Sequence, residues 1–199
     1  MIITLGRQHG SNGHDIARAL AKELDYRCFD KEIVEEAAEN SHFSKEIFDS
    51  YDEKRVNAYI VPVPHYVGMN EGFRLNMQVA TAQFDVMRSL AEKGNCIFVG
   101  RCADYILREN PRCVNVFLTA DDADRIGRIR SRQGCTAEEA RAMMERVDAR
   151  RASYYNYYSS RTWGEAATYH LCVSTSPLGD EGTADFILEF AARKLNMKF

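Results

Sequence analysis

Five short apolar runs alternate along the chain with longer stretches in which apolar residues recur every three or four positions. The first run, Ile2, Ile3, Thr4 and Leu5, is continuously apolar and β-branched, as expected of a strand buried on both faces. A glycine-containing loop follows, and Ile16, Ala17, Leu20, Ala21 and Leu24 then mark one face of an amphipathic helix. Residues 26–29 predict a second strand. Asp30 is placed to cap a helix over 31–39, and Pro62 and Pro64 predict a long loop or hinge within 50–70. Phe73, Met77, Ala80, Phe84, Met87 and Ala91 predict a long helix over 72–93. Residues 96–99 and 114–118 read as two more buried strands. Helices follow over 121–132 and 136–153, the second opened by a capping box of Thr136 and Glu139. A short strand over 171–173 and a helix over 183–195 complete the series. This alternation predicts a mostly parallel α/β sheet covered on both faces, in a single domain.

Composition changes the picture little. The 199 residues are 45% apolar and 28% charged, with a net charge of -3, so whole-chain attraction to nucleic acid or to an anionic membrane is not expected. Six cysteines show no C-x-x-C pair and no metal-ligand spacing with histidine. No apolar run approaches the roughly 20 residues of a membrane span, and a reducing cytoplasmic setting is the expectation.

Ligands of open α/β sheets bind beyond the carboxyl ends of the strands, and three segments at such ends carry candidate chemistry. The loop from Gly6 through Arg7, Gly10, Ser11, Asn12 and Gly13 to His14 and Asp15 joins the first strand to its helix. Its small residues and helix start suit a phosphate, although a tight glycine turn without a ligand has the same pattern. The P-loop pattern G-x-x-x-x-G-K-[ST] is not met, because no lysine occurs in the loop and no serine or threonine follows. A bound triphosphate would need Arg7 or His14 as its cation, with Arg7 the first choice, and Asp15 in place of the magnesium-touching hydroxyl. The second segment is Gly100, Arg101, Cys102, Ala103 and Asp104, where Arg101 can fork onto a phosphate or pair with Asp104. The third is the set Arg125, Arg128, Arg130, Arg132, Arg141, Arg146, Arg150 and Arg151. Such arginines make either a salt-bridged surface or the cationic lid that phosphoryl transfer needs. Tyr154, Tyr155, Tyr157, Tyr158 and Trp163 read as a loop packing its aromatics against the core or a neighbouring subunit.

Taken together, segments 3–17, 29–33, 99–106 and 154–178 resemble the cytidylate kinase-like family, a branch of the P-loop nucleoside monophosphate kinases. The resemblance implies a three-layer P-loop kinase-like fold. Its core would be residues 1–30, 94–120 and 168–199, with a helical acceptor-binding region over 31–93 and an arginine-rich lid over 121–153. It implies transfer of the γ-phosphoryl of ATP, with Mg2+, to CMP or dCMP. Gly10 to Asp15 would hold the donor, Asp30, Arg101 and Asp104 the acceptor, and Arg128, Arg132 and Arg150 would close over the transferring group. Three departures stand out: Gly13 falls where the family places lysine, Glu36 where it places an acceptor-phosphate arginine, and Cys102 where it places aspartate. Alternatives are a nucleotide-binding regulator with weakened catalysis and a kinase of a non-nucleotide acceptor. The helix over 72–93 could mediate a homodimer.

Overall fold

The computed structural model describes residues 1–39, 46–47 and 71–197. The expected hinge within 50–70 and most of the proposed acceptor region therefore lie outside the described residues. Five parallel strands, β1 (Ile2–Arg7), β2 (Arg27–Phe29), β3 (Cys96–Val99), β4 (Cys113–Thr119) and β5 (Leu171–Ser174), form one sheet in the order β2-β3-β1-β4-β5. The first strand is central because both faces of its apolar run are buried. Its register pairs Leu5 with Val99 on one side and with Val116 on the other.

Side-chain alternation along the strands divides the core into two layers. Ile3, Leu5, Ile97, Val99, Val114, Val116 and Leu118 face α1 (Gly13–Leu24) and the C-terminal helix (Gly179–Leu195), meeting Ile16, Leu20 and Ile187. Ile2, Cys96, Phe98 and Cys113 face the opposite layer. There they pack against Ile33 of α2 (Lys31–Glu39), Val79, Met87 and Leu90 of α3 (Glu71–Lys93), and Ala103 of α4 (Ala103–Ile106). Buried polar contacts at Asn115 interrupt this second layer: Thr4 donates to its Oδ1 at 2.9 Å, and Cys113 Sγ to the same oxygen at 3.1 Å. This is the α/β architecture that the alternation predicts.

Helices α5 (Asp122–Gln133) and α6 (Ala137–Ser159) form a pair with a small core of their own, Ile129, Ala140 and Met144. The Thr136 capping box opens α6 as expected. The tyrosine segment, however, is not a loop: α6 continues to Ser159 and carries Tyr154 and Tyr155 into a cluster with Cys102, Phe117 and Tyr169. Burial of these rings on the sheet edge keeps the segment helical where its sequence shows no apolar stripe. The last helix, α7, likewise begins at Gly179 rather than 183, its first turn being acidic instead of apolar.

Candidate functional site

The carboxyl ends of β1, β2 and β3 bring together residues distant in sequence. Beyond β1 the chain leaves the sheet at Arg7, and Gln8 stays tied to β4 by a backbone bond to Leu118 O at 3.0 Å. The loop then curls tightly. Gly10 has φ +83°, and a Cβ there would stand 2.8 Å from Arg125 O, so the glycine is required both by its conformation and by the backbone of α5 against it. Ser11 is fully buried, its hydroxyl donating to Gln8 O at 2.9 Å. Asn12 takes a left-handed conformation and ends the loop, and α1 starts at Gly13. This is a concave, glycine-containing turn at a helix N-terminus, the form in which backbone N–H groups receive anions.

Arginines of α5 and α6 surround that loop. Arg125, almost fully buried, donates from Nε to His9 O at 2.8 Å and pairs with Asp148 of α6. Asp148 in turn accepts from the His9 N–H at 2.7 Å. Arg128 donates to Gly10 O at 3.2 Å and to Thr175 Oγ1 at 3.1 Å. Arg132 donates to Asn12 Oδ1 at 2.7 Å and pairs with Asp15. Arg151 donates to Arg7 O at 3.1 Å. Burial, and then the positive charges of Arg151, Arg125, Arg7 and Arg132, pull the His9 pKa down to about 4, so its ring is neutral at pH 7. The loop is thus enclosed by cations aimed at its carbonyls and side-chain oxygens, a field that favours a polyanionic ligand.

A second group faces the loop from β2 and β3. Arg101, buried and in a left-handed conformation, reaches Asp30 at 2.5 Å. The other oxygen of Asp30 lies 3.2 Å from His14 Nδ1, in the first turn of α1. The loop's helix and the end of β2 are therefore joined through one carboxylate. Asp104 is 5% exposed, its Oδ2 accepting from the Tyr155 hydroxyl at 2.7 Å. Burial raises its pKa above the ordinary carboxylate range. A small cavity of about 20 Å3 opens between the two groups, lined in part by Arg7, Arg101, Asp104, Arg151 and Tyr155.

Of the residues singled out in the sequence, Arg7, Gly10, Ser11, Asn12, Gly13, His14, Asp15, Asp30, Arg101, Arg128 and Arg132 converge here, with Asp104 behind them. Arg150 does not: it is exposed on α6, and its neighbour Arg151 is the one turned inward. Sequence reasoning also left Gln8, Asp148, Thr175 and Asp180 without a role. Gln8 Oε1 accepts from Ala120 N–H at 3.3 Å, and Asp180 receives the Asn12 amide at 2.9 Å and 3.1 Å. No signal of spacing marks these partners, because each comes from a different strand end or helix.

Among the described residues no three or more His, Cys, Asp and Glu side chains cluster as a metal site. Hard divalent cations nevertheless take few protein ligands when they arrive on phosphates. Asp15 and Asn12 Oδ1, which already converge on the Arg132 guanidinium, are suitable oxygens. Among the described residues no helix is long and apolar enough to cross a membrane.

No curated protein matches the chain. Among solved structures it is similar to an uncharacterized protein from Eubacterium ventriosum, 28% identical with a TM-score of 0.75, covering 97% of this chain and 98% of that one. Two shikimate kinases share the fold. The one from Bacteroides thetaiotaomicron is 13% identical with a TM-score of 0.56, covering 99% of both chains. The one from Acinetobacter baumannii, in complex with shikimate, is 15% identical with a TM-score of 0.53, covering 96% of this chain and 93% of that one. The model of the cytidylate kinase-like family matches residues 2–177, the span that carries the loop, the Asp30 and Arg101 pair and all of α5 and α6, and the chain belongs to that family.

Proposed function

We propose that the protein is an ATP-dependent phosphotransferase whose acceptor is a nucleoside monophosphate, CMP or dCMP first. The observation that carries this reading is the two-sided site. A phosphate-type loop ringed by Arg125, Arg128, Arg132 and Arg151 faces Arg101 and Asp30 across one strand end. Residues Gly10 to Asp15 would hold the donor phosphates. Asp30 and Arg101 would hold the acceptor, with Asp104 positioned beneath them. Arg128, Arg132 and Arg151, the last in the place expected for Arg150, would close over the group in transfer. Phosphoryl transfer asks for this kind of positioning and charge more than for covalent help.

In the step itself, a lone pair on an acceptor phosphate oxygen forms the new bond to the γ-phosphorus. The bond from that phosphorus to the β,γ-bridging oxygen breaks, and its electron pair leaves with ADP. The acceptor oxygen is already ionised, so no proton need be removed. Asp15 would hold a magnesium ion arriving with the donor, whose charge would offset that developing on the leaving group. Helices α5 and α6, with their separate small core, would form the lid, α2 and α3 would belong to the acceptor-binding region, and the sheet with the remaining helices would be the core. The pairing of Arg132 with Asp15 implies that this lid must shift for a metal-bound donor to enter.

A second reading, a nucleotide-binding regulator without turnover, is favoured by one feature, the absence of a loop lysine at Gly13. Acceptor-dependent ADP release, measured with ATP and Mg2+ across CMP, dCMP, UMP, AMP and GMP, separates the two. Turnover confined to one or two monophosphates and lost in Arg101→Ala supports the kinase. Thermal stabilisation by ATP with no turnover on any of them overturns the acceptor assignment and leaves the regulator or a kinase of a non-nucleotide acceptor.

A further inference from the structure

Gly13 occupies the position at which a P-loop carries its lysine, yet its backbone does not demand a glycine. It is absent from the residues with positive φ, unlike Gly10. Packing excludes a side chain there instead. A Cβ at Gly13 would stand 2.8 Å from Arg7 Cβ and 2.9 Å from Arg7 Cγ, closer than real Cβ atoms approach. The Arg7 Cβ is set by the backbone at the end of β1, so it cannot swing aside as a side-chain tip would, and rotating Cγ away leaves that contact in place. The Arg7 stem therefore crosses the start of α1 through the space a lysine at 13 would need. Its side chain then joins Arg101 and Arg151 in lining the cavity between the ends of β1 and β3. That cavity has Arg7 on one side and Arg101, the partner of Asp30, on the other.

Other cations reach the loop from other sides. His14 turns its Nδ1 to Asp30, Arg128 and Arg132 hold loop oxygens from the α5 side, and Arg125 is bound to Asp148 and His9 O. We infer that Arg7 and Gly13 form a reciprocal pair, in which Arg7 supplies the positive charge of the missing loop lysine to the transferring phosphoryl group and Gly13 is the vacancy that admits its stem. This assignment rests on the phosphotransferase reading and deepens it. It also removes the objection that the lysine-less loop cannot support transfer. Within the step described above, the guanidinium donates hydrogen bonds to γ-phosphoryl oxygens as charge redistributes, and it gains or loses no proton.

Four proteins test the assignment: wild type, Arg7→Ala, Gly13→Lys, and the double variant Arg7→Gly/Gly13→Lys, in which glycine removes both the Cβ and the Cγ that a side chain at 13 would meet. Melting temperatures are measured with Mg2+ and either ADP or β,γ-imido-ATP, beside acceptor-dependent ADP release. Wild type should be stabilised more by β,γ-imido-ATP than by ADP. Arg7→Ala should keep the ADP shift, lose the excess shift from the γ-phosphate, and fall about 10²–10³-fold in turnover. Gly13→Lys should melt lower than wild type without ligand, because the new stem collides with that of Arg7. The double variant should recover unliganded stability, the γ-phosphate excess and at least a tenfold part of the turnover. Arg7→Gln, which keeps the stem and removes the charge, replaces Arg7→Ala if the alanine variant does not fold. An unchanged γ-phosphate excess in the charge-deleted variant, or a double variant no better than the single variants, overturns the pairing while leaving the kinase reading in place. A wild type that neither nucleotide stabilises and that releases no ADP overturns the kinase reading, and the pairing with it.

Discussion

Asp148 is the clasp between α6 and the loop, and its removal should be felt in stability before it is felt in chemistry. Its two oxygens serve different partners, the His9 N–H at 2.7 Å and the guanidinium of Arg125, whose side chain is only 5% exposed. Truncating one member of a buried ion pair costs about 3–5 kcal/mol, because the surviving charge is left without its counterion. Two effects reduce that figure here. Asp122 lies 3.3 Å from Arg125 but is 59% exposed, so it returns only part of the attraction. Alanine is also a better helix former than aspartate, by about 0.5 kcal/mol. Asp148→Ala should therefore destabilise by about 2–4 kcal/mol, a melting-temperature drop of roughly 5–12 °C for a chain of this size. Asp148→Asn retains an acceptor for His9 and loses the charge, and should cost about half as much. Urea unfolding followed by far-UV circular dichroism and by the single tryptophan, Trp163, gives both numbers. Trp163 packs edge-on against Phe117 at 5.2 Å and so reports on the sheet edge. A loss below about 0.5 kcal/mol in Asp148→Ala, the level of an ordinary surface change, refutes the clasp. Equal losses in the two variants would instead show that charge alone holds it.

Arg150→Ala should leave both stability and turnover near wild type, whereas Arg151→Ala, which removes the donor to Arg7 O, should depress both; paired melting curves and ADP-release rates check the contrast. Tyr155→Phe should cost about 1–3 kcal/mol, because the buried Asp104 carboxylate loses its hydroxyl donor, and a urea midpoint unchanged from wild type sinks that account. The His9 pKa is lowered from 6.5 to about 4, so below 6.5 the unfolded chain takes up a proton that the folded chain refuses. Stability should then fall as pH drops through that window and be unaffected above it, with His170 acting in the same direction and Asp104, whose pKa is raised, opposing them. Urea midpoints of wild type and His9→Gln across about pH 4–7 should show the smaller loss in the variant, and parallel curves would refute the burial of a neutral ring.

How much of this was legible in the sequence depends on how many partners each segment has. The central strand was, because Ile2 to Leu5 meet one simple demand, apolar surface on both faces. Helix α6 was legible only as far as residue 153. Its N-terminal half buries Ala140 and Met144 against α5, and its C-terminal half buries Tyr154 and Tyr155 against the sheet edge. Two partners in different directions shift the buried stripe along the helix, so no single period spans it and the tyrosines resemble a loop. The same geometry decides which arginine faces the loop. Neighbouring helical positions point about 100° apart, since a turn holds 3.6 residues, so the choice between Arg150 and Arg151 requires the helix axis to be placed and not only its existence. By resemblance Gly13 stands in place of a lysine and Gly10 within the phosphate loop, although the sequence shows only the same residue twice. The difference lies in their neighbours. Gly10 is needed for its own left-handed backbone and for the approach of α5, whereas Gly13 yields its space to a side chain six residues earlier. A motif scored residue by residue records the second case as a loss of function. Judged by the volume and charge at the end of β1, the site keeps a cation there and draws it from the other side of the loop.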